Sequence, residues 1–216
     1  MFFFKKSALF IALSLCALLS PTFAQQGISA QKVQAEWTLY LGQGVDANLT
    51  NLPKKIATDK LKRESSFLTG IGYAIPTRSP DWLAGLAGVV GIDQPSTAVE
   101  LLGVQHRGLQ SNFEADVGYL LRTGYASLGP LQIRAGVGTG LSYAFGTPSY
   151  EDGPFNNPAK RYKFQSFEAF EVELRLADAP SVGLVTRVHH RSGMYGLIAP
   201  KNVGSNFLTI GLRSRF

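Results

Sequence analysis

Residues 181–216 read SVGLVTRVHHRSGMYGLIAPKNVGSNFLTIGLRSRF, two strand-like runs separated by a loop that contains Gly and Pro. Side chains alternate across a strand, so each run sorts by twos. In the first, Val182, Leu184, Thr186, Val188, His190 and Ser192 share one face, and Gly183, Val185, Arg187, His189 and Arg191 share the other. The apolar stripe ends in a base and a hydroxyl on the same side, about 7 Å apart along the strand. In the second run Leu208, Ile210, Leu212 and Phe216 oppose Thr209, Gly211, Arg213 and Arg215. In both runs one face is apolar and the other carries arginines.

The same alternation extends back through the chain. Strands are expected at about 35–43, 66–76, 97–107, 112–123, 130–146, 164–176, 181–192 and 206–216. The fifth is the clearest: Leu131, Ile133, Ala135, Val137, Thr139, Leu141, Tyr143 and Phe145 alternate with polar residues and glycines. The third is ambiguous by parity. Eight such strands fit a soluble barrel or sandwich with its apolar face inward. They also fit an eight-stranded antiparallel transmembrane β-barrel with that face toward lipid.

Three features favour the transmembrane barrel. The polar face carries opposite charges (Glu114, Asp116, Arg122, Arg134, Glu171, Glu173, Arg175, Arg187, Arg213 and Arg215) that can pair in a narrow, side-chain-filled lumen. Such a lumen argues against a porin. Aromatics (Trp37, Tyr73, Phe113, Tyr143, Phe145, Phe164 and Phe216) gather at strand ends as interfacial girdles do. A terminal strand ending in Phe216 resembles the closing strand of bacterial outer-membrane barrels. With both termini on the inner side, the outer connections are 44–64, 108–111, 147–163 and 193–204. The inner connections are 124–129, 177–180 and the longer 77–96. In the last, Trp82, Leu83, Leu86 and Val90 have helical spacing, read as a short helix at the inner interface.

The first 24 residues carry Lys5 and Lys6, an apolar run over 8–19 too short to span a membrane, and small residues before Gln25. They read as a cleaved signal peptide, with residues 25–216 forming one barrel domain. Cys16, the one cysteine of the chain, lies in that leader, so disulfide and thiol chemistry are not expected in the mature domain. Without the leader the formal charge falls from +6 to +4, and no basic helix suggests nucleic-acid binding. No cofactor is expected, and no His/carboxylate spacing suggests zinc.

A His beside a Ser is the base-and-nucleophile arrangement of acyl transfer, and an ionisable group on a lipid-facing wall is a candidate functional site. A third group would orient the imidazole, and no acid follows Asp178. Two residues qualify by parity. Asn206 starts the last strand on the face of Leu208. Glu168 falls opposite His190 if the turn between strands six and seven centres near residue 179.

VHHRSGMYGL followed by GSNFLTIGLRSRF resembles the PagL-type lipid A 3-O-deacylases and the broader acyloxyacyl-hydrolase-like group of outer-membrane barrels. The resemblance is sharpest over residues 186–216 and extends through PSYED and SFEAFEVEL back to about 147. It implies an outer-membrane location, lipid A of lipopolysaccharide as partner, and hydrolysis of an ester-linked acyl chain. It also implies Ser192 as nucleophile and His190 as base, with an acid early in the last strand. Here that place holds Ser205 or Asn206, and Gly193 stands where the type members have Asn. Asn206, or else Glu168, is therefore the expected third member. The backbone at Gly196 and the Asn202 amide are candidate oxyanion donors. Lys54, Lys55, Lys60, Lys62, Arg63, Lys160, Arg161, Lys163 and Lys201 on the outer loops could meet lipid A phosphates. The competing readings are a non-catalytic outer-membrane barrel and a soluble lipid-binding barrel. His189 and His106 read as structural, His189 paired with a carboxylate in the lumen.

Overall fold

The computed structural model describes residues 34–89, 92, 94–151 and 157–216. The expected leader and Val90 lie outside them. Nine antiparallel strands follow in order: β1 (Glu36–Val45), β2 (Arg63–Thr77), β3 (Ser96–Gly108), β4 (Phe113–Arg122), β5 (Ala126–Leu128), β6 (Leu131–Phe145), β7 (Phe164–Leu176), β8 (Val182–Ser192) and β9 (Gly204–Arg215). Eight of them close a barrel. Neighbours in sequence pair, β4 pairs with β6, and β9 returns to β1 with Glu36 opposite Arg215. The three-residue β5 only extends the hairpin that leads into β6. Among the described residues two α-helices lie in the connections: α1 (Leu52–Ala57) between β1 and β2, and α2 (Asp81–Val89) between β2 and β3. The connection expected to be an inner interfacial helix is thus α2, and it exposes Trp82, Leu86 and Val89.

Exposure decides which way the barrel faces. Trp37, Leu39, Leu41, Ile71, Val117, Leu141, Leu184, Ile210 and Leu212 are exposed on its outside. Glu36, Glu100, Glu114, Glu173, Arg187, Arg191 and Arg213 are buried inside. A soluble barrel would waste its hydrophobic driving force this way, whereas a barrel in a bilayer needs it. Aromatic pairs sit at both rims: Trp37 on Tyr73 at 4.5 Å and Tyr73 on Phe216 at 6.5 Å near the termini, and Phe113 on Phe145 at 5.7 Å at the far rim. Replacing Ile210, in mid-strand on the outer wall, by Arg should therefore cost about 2–4 kcal/mol of folding free energy in lipid. Urea titration of the protein refolded into vesicles would measure it.

The lumen is filled in three layers. Nearest the termini, Glu36, Glu171 and Glu173 interlock with Arg122, Arg134, Arg213 and Arg215, and Arg187 joins Glu171 to Glu100. Lumen glycines make the room: a Cβ on Gly183 would stand 2.4 Å from Glu173 Oε1. Above this lies an apolar layer of Tyr40, Leu68, Leu102, Val104, Leu120, Phe167, Ala169, Val185 and Phe207. Toward the far rim comes a second polar cluster of His106, Glu114, Asp116, His189 and Arg191, with Glu151 reaching in from the β6–β7 connection.

Candidate active site at the far rim

His190 and Ser192 end β8 on its outward face, the side of Leu184. The short β7–β8 turn sets the register and places Glu168 directly across from His190 and Ser166 across from Ser192. On the other side β9 places Asn206 across from His190. Both candidate third members therefore flank the histidine, as parity and turn length required.

Their side chains do different things. Glu168 Oε2 lies 3.8 Å from His190 Nε2 and accepts from Ser192 Oγ at 3.4 Å. Asn206 is buried and donates its Nδ2 to the Ala47 carbonyl at 2.7 Å. That bond fixes which way the amide faces, because only a nitrogen can donate to a carbonyl. Asn206 Oδ1 and His190 Nδ1 are both buried without a hydrogen-bond partner. Ser192 Oγ makes no hydrogen bond to His190. Among the described residues its partners are Ser166 Oγ at 2.9 Å, Glu168 and the Met194 N–H at 3.2 Å.

The turn after Ser192 is built on Gly193. Its carbonyl collects the N–H groups of Gly196, Ile198 and Ala199 at 3.0–3.2 Å. A Cβ at 193 would stand 2.2 Å from the carbonyl oxygens of both Ala199 and Pro200, so only glycine fits. Met194 and Tyr195 take positive φ values of 48° and 57° to complete the turn. The two oxyanion candidates lie further along this turn. The Gly196 amide is spent on Gly193, and Asn202 is an exposed turn residue with φ 64°. The amide that reaches Ser192 is that of Met194.

Sequence reasoning missed three participants. Ser166 could have been found by carrying the Glu168–His190 register two residues further. The Met194 amide could not, because it depends on positive φ at non-glycine residues. The third is the β1–β2 connection, which folds down the outside of the barrel. Its Ala47 and Leu52, with Val45, pack against Val188 and Leu208, the outward residues just below His190 and Asn206. No periodicity in residues 46–62 announces this wall. Among the expected cations, Lys54 and Lys55 lie on α1, beside this wall, and Lys55 donates to the Asp46 carbonyl. The two other histidines are lumenal: His106 and His189 each hold an oxygen of Glu114, at 2.9 and 2.8 Å.

No protein-family model matches the sequence, and no curated protein matches it. Solved structures do. The outer membrane enzyme PagL superposes with a TM-score of 0.54 at 9% identity, covering 83% of this chain and 99% of that one. The fold is that of an outer-membrane β-barrel. Neisserial surface protein A matches with a TM-score of 0.45 at 14% identity, over 84% of this chain and 97% of its own. The N-terminal barrel domain of Pseudomonas aeruginosa OprF gives 0.44 at 9%, over 85% and 98%. At these identities the likeness concerns the fold alone.

Proposed function

We propose that the protein is an outer-membrane esterase of the lipid A deacylase type, cleaving an ester-linked acyl chain at its outer wall. The observation that carries this reading is the grouping of His190, Ser192, Glu168 and Asn206 on the lipid-facing side of the far rim, where a purely structural strand would carry apolar residues. Ser192 Oγ, turned from Ser166 toward His190, attacks the acyl carbonyl while His190 Nε2 takes its proton. The imidazolium then protonates the departing sugar oxygen, and water hydrolyses the acyl-enzyme by the reverse path. The Met194 N–H, which donates to Ser192 Oγ at 3.2 Å, would serve as an oxyanion donor. Exposed Tyr195 and Leu197 and the apolar β7–β8 wall would hold the acyl chain, so the lipid need not leave the bilayer.

For the third member this reading favours Asn206. Asn206 and His190 are paired across β9 and β8, and a hydrogen bond from His190 Nδ1–H to Asn206 Oδ1 puts the proton on Nδ1 and frees Nε2 as base. Glu168 then acts from the Nε2 side, stabilising the imidazolium. Asn206→Ala should lower kcat about 100-fold, and Glu168→Gln less than tenfold. The opposite order in a fatty-acid release assay would move the orienting role to Glu168.

A second reading has one observation in its favour: Ser192 is bonded to Ser166 and Glu168 and not to His190. On that reading the barrel is non-catalytic and the group is an interfacial polar cluster. Mass spectrometry of lipid A from cells producing the protein separates the two. Loss of one acyl chain supports the esterase, and an unchanged acyl pattern with the barrel shown folded by its heat-modifiable gel mobility leaves the second.

A further inference from the structure

The far polar layer of the lumen takes no part in the reaction proposed for the outer wall, and its hydrogen bonding is incomplete. Asp116 is 5% exposed, and neither of its carboxylate oxygens has a hydrogen-bond partner. Ser142 Oγ, on the residue paired across from Asp116, is also without a hydrogen-bond partner, as is His106 Nδ1. Buried polar atoms are nearly always satisfied, so a concentration of exceptions in one layer calls for a bound species.

The electrostatics point the same way. Glu114 and Asp116 are buried side by side, with the Arg191 guanidinium 3.5 Å from Glu114. The layer nearest the termini is instead rich in arginine, with Glu36, Glu100, Glu171 and Glu173 facing six of them, and the apolar layer stands between the two. A divalent cation would relieve the repulsion between the two far carboxylates.

The ligands are in place. One oxygen each of Glu114 and Asp116 and one imidazole nitrogen of His189 lie within 4.8 Å of one another, all buried. We propose that Glu114, Asp116 and His189 form a divalent-cation site inside the far half of the lumen, selecting a borderline ion of the Zn2+ kind. Two carboxylates and an imidazole suit such an ion better than Ca2+ or Mg2+, which prefer all-oxygen shells. On binding, His189 Nε2 would give up its hydrogen bond to Glu114 and carry its proton on Nδ1. His106 would keep its bond to the other Glu114 oxygen and hold that carboxylate in place, as outer-shell partners of metal ligands do. The residues stand at 114, 116 and 189, on β4 and β8, and meet only because the barrel closes.

The test uses the full chain refolded into detergent micelles with Zn2+ present, desalted against a weak chelator and assayed by elemental mass spectrometry. About one Zn2+ per folded chain is expected in the wild type, with near-complete loss in the isosteric Asp116→Asn. His189→Gln serves as the second variant should Asp116→Asn not fold. A folded wild type that retains no Zn2+ overturns the proposal, and so does a folded Asp116→Asn or His189→Gln that retains as much as wild type. In the first case Asp116 is neutralised by a proton; in the second the ion sits elsewhere. The Ser192→Ala protein should bind Zn2+ like wild type, so this result is independent of the esterase reading.

Discussion

Ser192→Ala should abolish fatty-acid release, with kcat falling about 10^3- to 10^6-fold, the range for removing the nucleophile of a serine hydrolase. His190→Ala should cost nearly as much, and the double variant no more than either single change, because nucleophile and base work as one unit. The check is the rate of fatty-acid release from lipopolysaccharide in mixed micelles. Additive losses, or a Ser192→Ala protein that retains activity, would remove Ser192 from the mechanism. Stability should be unaffected: Ser192 sits at the end of β8, partly exposed, and its bonds to Ser166 and Met194 join neighbouring strand and turn. Activity and folding are therefore separable in this variant, and unchanged heat-modifiable mobility would demonstrate it.

The opposite dissociation is expected at Arg213. Fully buried, it donates to Glu173 Oε2 at 2.6 Å, to both oxygens of Glu171 at 3.1 and 3.0 Å, to Thr38 Oγ1 at 3.0 Å and to the Tyr40 hydroxyl at 3.3 Å. Met would fill much of the volume and supply none of these donors. Glu171 retains Arg122 and Arg187, and Glu173 retains Arg134 and Arg215, but each loses a partner in a space water does not reach. Breaking one member of such a buried network costs about 3–5 kcal/mol. Arg213→Met should show it as a lower urea midpoint on refolding into vesicles, with catalysis by the remaining folded fraction intact. A midpoint like that of wild type would mean the inner layer contributes shape and not stability.

Much of this was legible in the sequence because a barrel strand repeats every two residues. Leu184, Thr186 and Val188 fall outward and Arg187, His189 and Arg191 inward on parity alone. The β7–β8 turn is short enough for its centre, and hence the Glu168–His190 pairing, to be counted. Parity failed for β3, and the reason is physical: Leu102 and Val104 face the lumen as part of its apolar layer, while Leu101 faces lipid, so both faces of that strand are apolar. The loop over 46–62 was illegible because it is held by tertiary contacts to Val188, Leu208 and the Asn206 amide, not by any local period. The Met194 amide was hidden for a related reason: the turn's backbone is imposed by the closeness of Gly193 to Ala199 and Pro200. The Glu114–Asp116–His189 group was hidden by distance along the chain.

The apolar layer across the lumen has one more consequence. It divides each strand's obligations between two audiences. Residues pointing inward answer to folding, since the arginine–glutamate lattice and the packed layer above it hold the cylinder together. Residues pointing outward at the far rim answer to the lipid and to the proposed ester chemistry. A mutation at the rim can therefore change what the wall presents to the lipid while leaving the cylinder intact, and a mutation in the lattice can weaken the cylinder without altering that surface.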